Sequence, residues 1–184
     1  MVTIGKGPVV LLVHDWTDSS ETMLPLAAEL ASQGYQAIRF DFPWPDQLTE
    51  LEHASQMAEA VAAVAASAGP IAAVVAHGHG VPAVMLALSR NRFTHLAVLL
   101  GADAGHDLAP TLAEYLGDVH TLFIHSSSDA VASLHDALAW AEHWPNCVLA
   151  RIDRIGHRQM LGSPAVHREV LRFVDQFGAS STLQ

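Results

Sequence analysis

Two features of this sequence could carry chemistry: its twelve histidines, and the run Ile71-Ala-Ala-Val-Val-Ala-His77, which passes through Gly78 into Gly80-Val-Pro-Ala-Val-Met-Leu-Ala-Leu88. Imidazoles titrate near neutral pH, so they move protons, and when neutral they bind metals. The turn Ala76-His77-Gly78-His79-Gly80 has small residues two positions either side of its centre. That spacing lets a strand end and a helix start nearly touch while exposing the central residue. Nucleophilic catalysis needs an oxygen or sulfur there, within reach of a base. Gly78 has no side chain and attacks nothing. The single cysteine, Cys147, lies beside an apolar run and reads as a buried, inert thiol. His53, His135, His143 and His167 fall in helical patterns and receive no role.

The elements that position these residues follow from periodicity. Short aliphatic and β-branched runs at 9–13, 36–40, 71–75, 96–100, 121–125 and 148–152 alternate with helical patterns at 21–32, 52–66, 79–89, 131–144 and 164–177. This alternation predicts an α/β three-layer sandwich, a mostly parallel sheet of about six strands with crossover helices on both faces. Alanine dominates 52–66, favouring helix and close packing, and Gly69-Pro70 ends that helix. Ser163 and Pro164 suit the cap and first position of the last one. The longest stretch without a clear element is 101–120, where 112–116 suggests a short helix and Asp103, His106 and Asp107 are the polar candidates.

The chain has 184 residues, 51% hydrophobic and 15% charged, which suits one domain over 1–178 with a frayed polar tail at 179–184. A net charge of −10 repels phosphate backbones and anionic lipid, so neither nucleic acid nor membrane is an expected partner. No basic patch with a long apolar run opens the sequence, and 9–13 is too short to cross a bilayer. A cytoplasmic location is expected.

The segment around Gly78 resembles the nucleophile elbow of the α/β-hydrolase fold superfamily, whose members place serine, cysteine or aspartate at that point, often after a histidine such as His77. The resemblance covers nearly the whole chain. Val9-Val-Leu-Leu-Val-His-Asp-Trp16 is similar to the strand and His-Gly-aromatic turn of that family, which implies an oxyanion hole made by the backbone N–H groups of Trp16 and His79. Gly34-Tyr-Gln-Ala-Ile-Arg-Phe-Asp-Phe-Pro43 resembles the next strand with its terminal aspartate. Thr121-Leu-Phe-Ile-His-Ser-Ser-Ser-Asp-Ala-Val131 resembles the loop of the triad acid, implying Asp129. Arg154-Ile-Gly-His-Arg158 implies His157 as general base, and the order of position 78, acid and histidine is the family's. The resemblance further implies a reduced, cap-less, esterase-like sheet with strands ordered 36–40, 9–13, 71–75, 96–100, 121–125, 148–152. Its pocket should be open and shallow, lined by His14, Asp15, His77 and His106, and suited to a small-molecule ligand or substrate.

Three residues depart from the family pattern. Gly78 removes the nucleophile, and because the elbow residue sits at positive φ, glycine relieves strain there. Asp15 stands where the oxyanion turn usually has glycine, and a carboxylate beside a hole built for an oxyanion opposes its purpose. Ser126 replaces a glycine after the strand of the triad acid, a mild change. Gly78 is explained either by natural loss, which the second departure at Asp15 favours, or by deliberate removal of a serine. Asp129 and His157 are then either an inherited pair tying two loops together or a dyad acting as general base without a covalent intermediate. His14, Asp15, His77, His79 and His157 could form a zinc or iron set. His77 and His79 flank position 78 on opposite sides, and the resemblance implies a packing role for His77, so no metal is expected, nor any cofactor. The expected function is esterase-like in ancestry with little or no covalent hydrolysis; the alternative is a binding or regulatory protein using the inherited pocket.

Overall fold

The computed structural model describes residues 1–42, 48–102, 116–142, 144 and 146–178. Seven strands form one sheet: β1 Val2–Gly5, β2 Val9–Val13, β3 Gln36–Arg39, β4 Ile71–His77, β5 Leu96–Leu100, β6 His120–Ser126 and β7 Cys147–Ile152. Their spatial order is β1-β3-β2-β4-β5-β6-β7. All neighbours pair in parallel except β1, which runs antiparallel to β3 with Val2 opposite Arg39. The expected order of six strands holds, and the seventh, β1, is an addition at the edge. Its residues are mostly exposed, so it lacks the buried pattern that reveals the others.

Among the described residues five helices flank the sheet: α1 Leu24–Ser32, α2 Glu50–Ala68, α3 Gly80–Arg90, α4 Leu134–Glu142 and α5 Pro164–Gly178. Alternate residues of each inner strand face opposite sides. Val9, Leu11 and Val13 join the core under α2 and α3, with Met57, Val61, Val84 and Leu88. Val10 and Leu12 join the core under α1 and α5, with Leu26, Leu30, Val170 and Phe173. Burial on both faces explains why β2 and β5 are continuous aliphatic runs. The helix expected from 52 begins at Glu50, because Thr49 and Glu52 form a reciprocal capping box. The helix expected from 131 begins only at Leu134. No helix among the described residues is long and apolar enough to cross a membrane.

Candidate active site

The parallel strands end along one edge of the sheet, and the chemistry-bearing residues gather there. β4 runs to His77, turns at Gly78 and enters α3 at Gly80. Gly78 has φ +54°, in the left-handed region, and its N–H donates to the Leu100 carbonyl at 3.0 Å. One strand over, Gly101 repeats the device with φ +51°. A Cβ on residue 101 would come within 2.9 Å of His157 Nδ1 and 3.1 Å of Asp129 Oδ2. Gly101 therefore lets the sheet edge lie flat against the pair.

Asp129 follows β6 and His157 follows β7, and His157 Nδ1 donates to Asp129 Oδ2 at 2.8 Å. Asp129 Oδ1 accepts from the N–H groups of Val131 and Ala132 at 2.8 and 3.0 Å. The helix itself begins at Leu134, where Ser133 Oγ accepts from His135 N at 3.1 Å. Ser126 has a use that glycine would lack: its Oγ accepts from Ser128 N at 3.1 Å and from Ile155 N at 3.3 Å, tying the acid loop to the histidine loop. His77 is fully buried, and its Nε2 donates to the His157 carbonyl at 3.2 Å.

Asp15 changes the site most. Its side chain reaches from the turn after β2 into the space that a side chain on residue 78 would fill. A Cβ on residue 78 would overlap Asp15 Oδ2 and lie 3.0 Å from His157 Nε2. Asp15 Oδ1 accepts from Thr17 N and Thr17 Oγ1 at 2.8 and 3.0 Å. Oδ2 accepts from the His79 backbone N–H at 3.1 Å and faces His79 Nδ1 at 3.2 Å. It also lies 3.8 Å from His157 Nε2, an ion-pair distance. The backbone donor expected to hold an oxyanion thus holds the protein's own carboxylate. Trp16, expected as the second donor, stacks on the His79 ring with centroids 4.0 Å apart.

The charges follow from this arrangement. Burial opposes ionisation of Asp15, but the neighbouring His157 and the hydrogen bonds from the His79 ring and the Thr17 and His79 backbone outweigh it and hold the carboxyl far below its ordinary range. Burial likewise opposes the charge on His157, yet the carboxylates of Asp129 and Asp15 prevail and push it up to about 9. Asp129 is lowered, its bonds from His157 and the Ala132 and Val131 N–H groups outweighing burial. His77 is pushed down to about 4 by burial and by the neighbouring His157 charge. At neutral pH the site is carboxylate, imidazolium, carboxylate, with a neutral imidazole behind.

A cleft of about 420 Å³ opens beside it, lined in part by Asp15, Thr17, Asp18, His79, His157 and Arg158. Arg158 pairs with Asp18 at 2.6 Å and joins the two loops at the rim. His14 and His77, expected as lining, do not line this cleft. His14 bonds the Asp15 carbonyl through Nδ1 at 2.6 Å and stacks on Phe42 at 4.3 Å, which fixes it in the scaffold. His106, with Asp103, Asp107 and the helix expected at 112–116, lies outside the described residues, as do His143 and the tail 179–184.

Solved structures share this architecture at low sequence identity. An α/β-hydrolase enzyme from the metagenome of sediments of the Mar Chica lagoon, Morocco, superposes with TM-score 0.78 at 15% identity, covering 98% of this chain and 94% of that one. An esterase from Exiguobacterium antarcticum gives 0.76 at 14% identity, covering 95% and 94%. The meta-cleavage product hydrolase of Pseudomonas fluorescens IP01, a mutant complexed with acetates, gives 0.74 at 15%, covering 95% and 93%. This is the α/β-hydrolase fold. No protein-family model and no curated protein sequence matches the chain. Within the α/β-hydrolase fold the strand ends bring together positions 78, 129 and 157, with Trp16 and His79 beside them. Sequence reasoning missed Thr17, Gly101 and Arg158. Of these, Gly101 had a signal, a glycine directly after an apolar strand, as at Gly78.

Proposed function

We propose that this chain is an esterase-like α/β-hydrolase without a nucleophile, whose cleft binds a small molecule and does not form an acyl-enzyme. One observation carries the reading: the Asp15 carboxylate fills the place of a side chain on residue 78 and takes up the His79 N–H. Acyl transfer needs an attacking atom, a neutral base and vacant donors for the oxyanion. Gly78 supplies no atom. With its pKa pushed up to about 9 by Asp129 and Asp15, His157 is protonated at neutral pH and has no lone pair with which to take a proton from a substrate or a water. The donor at His79 already holds a negative charge, which would repel a second. The same protonation argues against the alternative in which Asp129 and His157 act as a general base on water.

Asp15 also bears on how Gly78 arose. A serine at 78 would collide with Asp15, so the two departures form one compensated pair. That favours natural loss, since removal of a serine from a working enzyme would leave the oxyanion turn as glycine. The test is labelling of the full chain by a fluorophosphonate probe, with p-nitrophenyl acetate as substrate. Neither labelling nor an acyl burst is expected. Stoichiometric labelling of any serine, those at 126–128 included, would overturn the reading.

A further inference from the structure

The site holds more ligating capacity than the ion pair uses. A carboxylate oxygen of Asp15 and a ring nitrogen from each of His77 and His157 lie within 4.8 Å of one another. Two of these ring nitrogens lack a hydrogen bond, although His157 Nε2 keeps its ion pair with Asp15 at 3.8 Å. His77 is fully buried and His157 is 9% exposed, and neither His77 Nδ1 nor His157 Nε2 has a hydrogen-bond partner among the described residues. A buried ring nitrogen without a partner is costly and demands an explanation. The carbonyl of His157 can only accept, so His77 Nε2 carries the hydrogen and the lone pair of the neutral ring is left on Nδ1.

Each of the three side chains is also oriented from behind. His157 Nδ1 donates to a carboxylate, Asp129, at 2.8 Å. His77 Nε2 donates to a backbone carbonyl at 3.2 Å. Asp15 Oδ1 is held by Thr17 N and Oγ1. A carboxylate or carbonyl behind the imidazole is the arrangement that fixes tautomer and direction in metal-binding histidines. The expectation against a metal set His77 against His79; the structure instead groups His77 with His157 and Asp15, while His79, stacked on Trp16, stays at hydrogen-bond distance from Asp15 Oδ2.

We propose that Asp15, His77 and His157 form a binding site for zinc, with the remaining coordination position facing the cleft. Two imidazoles and one carboxylate suit a borderline cation, and three protein ligands leave one place for water or a ligand atom. Zinc takes the Nε2 lone pair of His157 in place of the proton held there, and that proton is released to solvent. Asp15 and His157 both line the cleft, which places that opening on its side. Zinc to nitrogen and oxygen distances of about 2.0–2.2 Å require the ligand atoms to draw together by roughly 1 Å. Asp15 Oδ2 and His157 Nε2, at 3.8 Å, are already close to that spacing. The proposal rests on the reading of position 78 as vacated, because a side chain there would occupy the same space.

The test uses the full chain, stripped with a chelator and titrated with zinc alone, then with cobalt(II) as a spectroscopic substitute. One equivalent should bind at micromolar or tighter affinity. Asp15→Asn and His157→Gln should each weaken binding by about 100-fold or more, and Asp129→Asn, which acts through His157, by about 10- to 100-fold. His95→Gln, on an exposed side chain before β5, should leave binding unchanged. Absence of micromolar binding, or binding indifferent to Asp15→Asn and His157→Gln, overturns the site. Should those variants fail to fold, the cobalt form of the unaltered protein decides. Paramagnetic shifts centred on Gly78 support the site, and a centre elsewhere overturns it. Failure to bind zinc leaves the missing acyl-enzyme untouched, whereas fluorophosphonate labelling would sink the nucleophile-free reading on its own.

Discussion

The two halves of the site have fared differently. On the side of β5, β6 and β7, Asp129 and His157 are hydrogen-bonded to each other, with a glycine, Gly101, making room for the pair. On the side of β2 and β4, position 78 has no side chain, and Asp15 fills the space and takes the hole's donor. The contrast shows that the dyad does not need the nucleophile for its geometry. Asp129 is fixed by the Val131 and Ala132 N–H groups and His157 by Asp129, all within one loop pair. On the other side position 78 offers no reacting atom, and the Asp15 carboxylate supplies a counter-charge to His157.

The largest effect should come from breaking the half that is intact. Asp129→Ala leaves the buried His157 charge with Asp15 alone and strands two N–H groups, and should cost about 3–5 kcal/mol in urea unfolding. A loss below about 1 kcal/mol would show that the pair contributes little to holding the two loops.

Gly78→Ser tests the remodelled half. The new side chain meets Asp15 at a positive φ, so the variant should lose about 1–3 kcal/mol by thermal unfolding and hydrolyse no ester. Adding Asp15→Gly should recover stability, and the pair should gain more turnover than the product of the single effects, because nucleophile and hole act as a unit. Full esterase activity from Gly78→Ser alone would mean that Asp15 swings clear without cost.

The link between the halves is the charge on His157. Its pKa stands at about 9 in the fold against 6.5 as the reference. The stability it contributes is therefore fully present below pH 6.5 and lost as pH rises through about 9. Asp15 and Asp129 are lowered, so their share is present above the ordinary carboxylate range and lost as pH falls through their folded values. Asp15→Asn should bring the His157 titration down in histidine NMR, with chelator present, and flatten the alkaline limb of the stability profile. An unchanged titration would assign the whole shift to Asp129. A further effect belongs to the rim: Arg158→Gln removes the charge partner of the nearly buried Asp18 carboxylate and should cost about 1–2 kcal/mol in urea unfolding.

Much of this was legible in the sequence, and the rest was not for identifiable reasons. β2 and β5 stand out because both faces are buried, and the turn at Gly78 because strand and helix patterns meet there. β1 escaped because Val2–Gly5 is a short edge strand with little burial to pattern it. Asp15 was visible as an anomaly beside the hole. That its carboxylate lands on position 78 depends on how the ends of β2 and β4 meet, a contact across 64 positions to His79 that no local pattern encodes. His14 looked like a pocket residue by its place in the turn, but its ring found Phe42 and the Asp15 carbonyl instead.

On the proposed reading that position 78 was vacated, the overlap between Asp15 and a side chain on residue 78 also sets a direction in evolutionary time. A lineage returning to covalent catalysis by way of serine first must pass through a protein in which two groups claim the same space. One that first exchanges Asp15 for glycine loses only one of two counter-charges on His157 and keeps a relaxed turn. Of the two mutational orders, only the second stays on passable ground, so the carboxylate acts as a ratchet: while it remains, a serine arising at position 78 meets selection as damage before it can be tried as a catalyst.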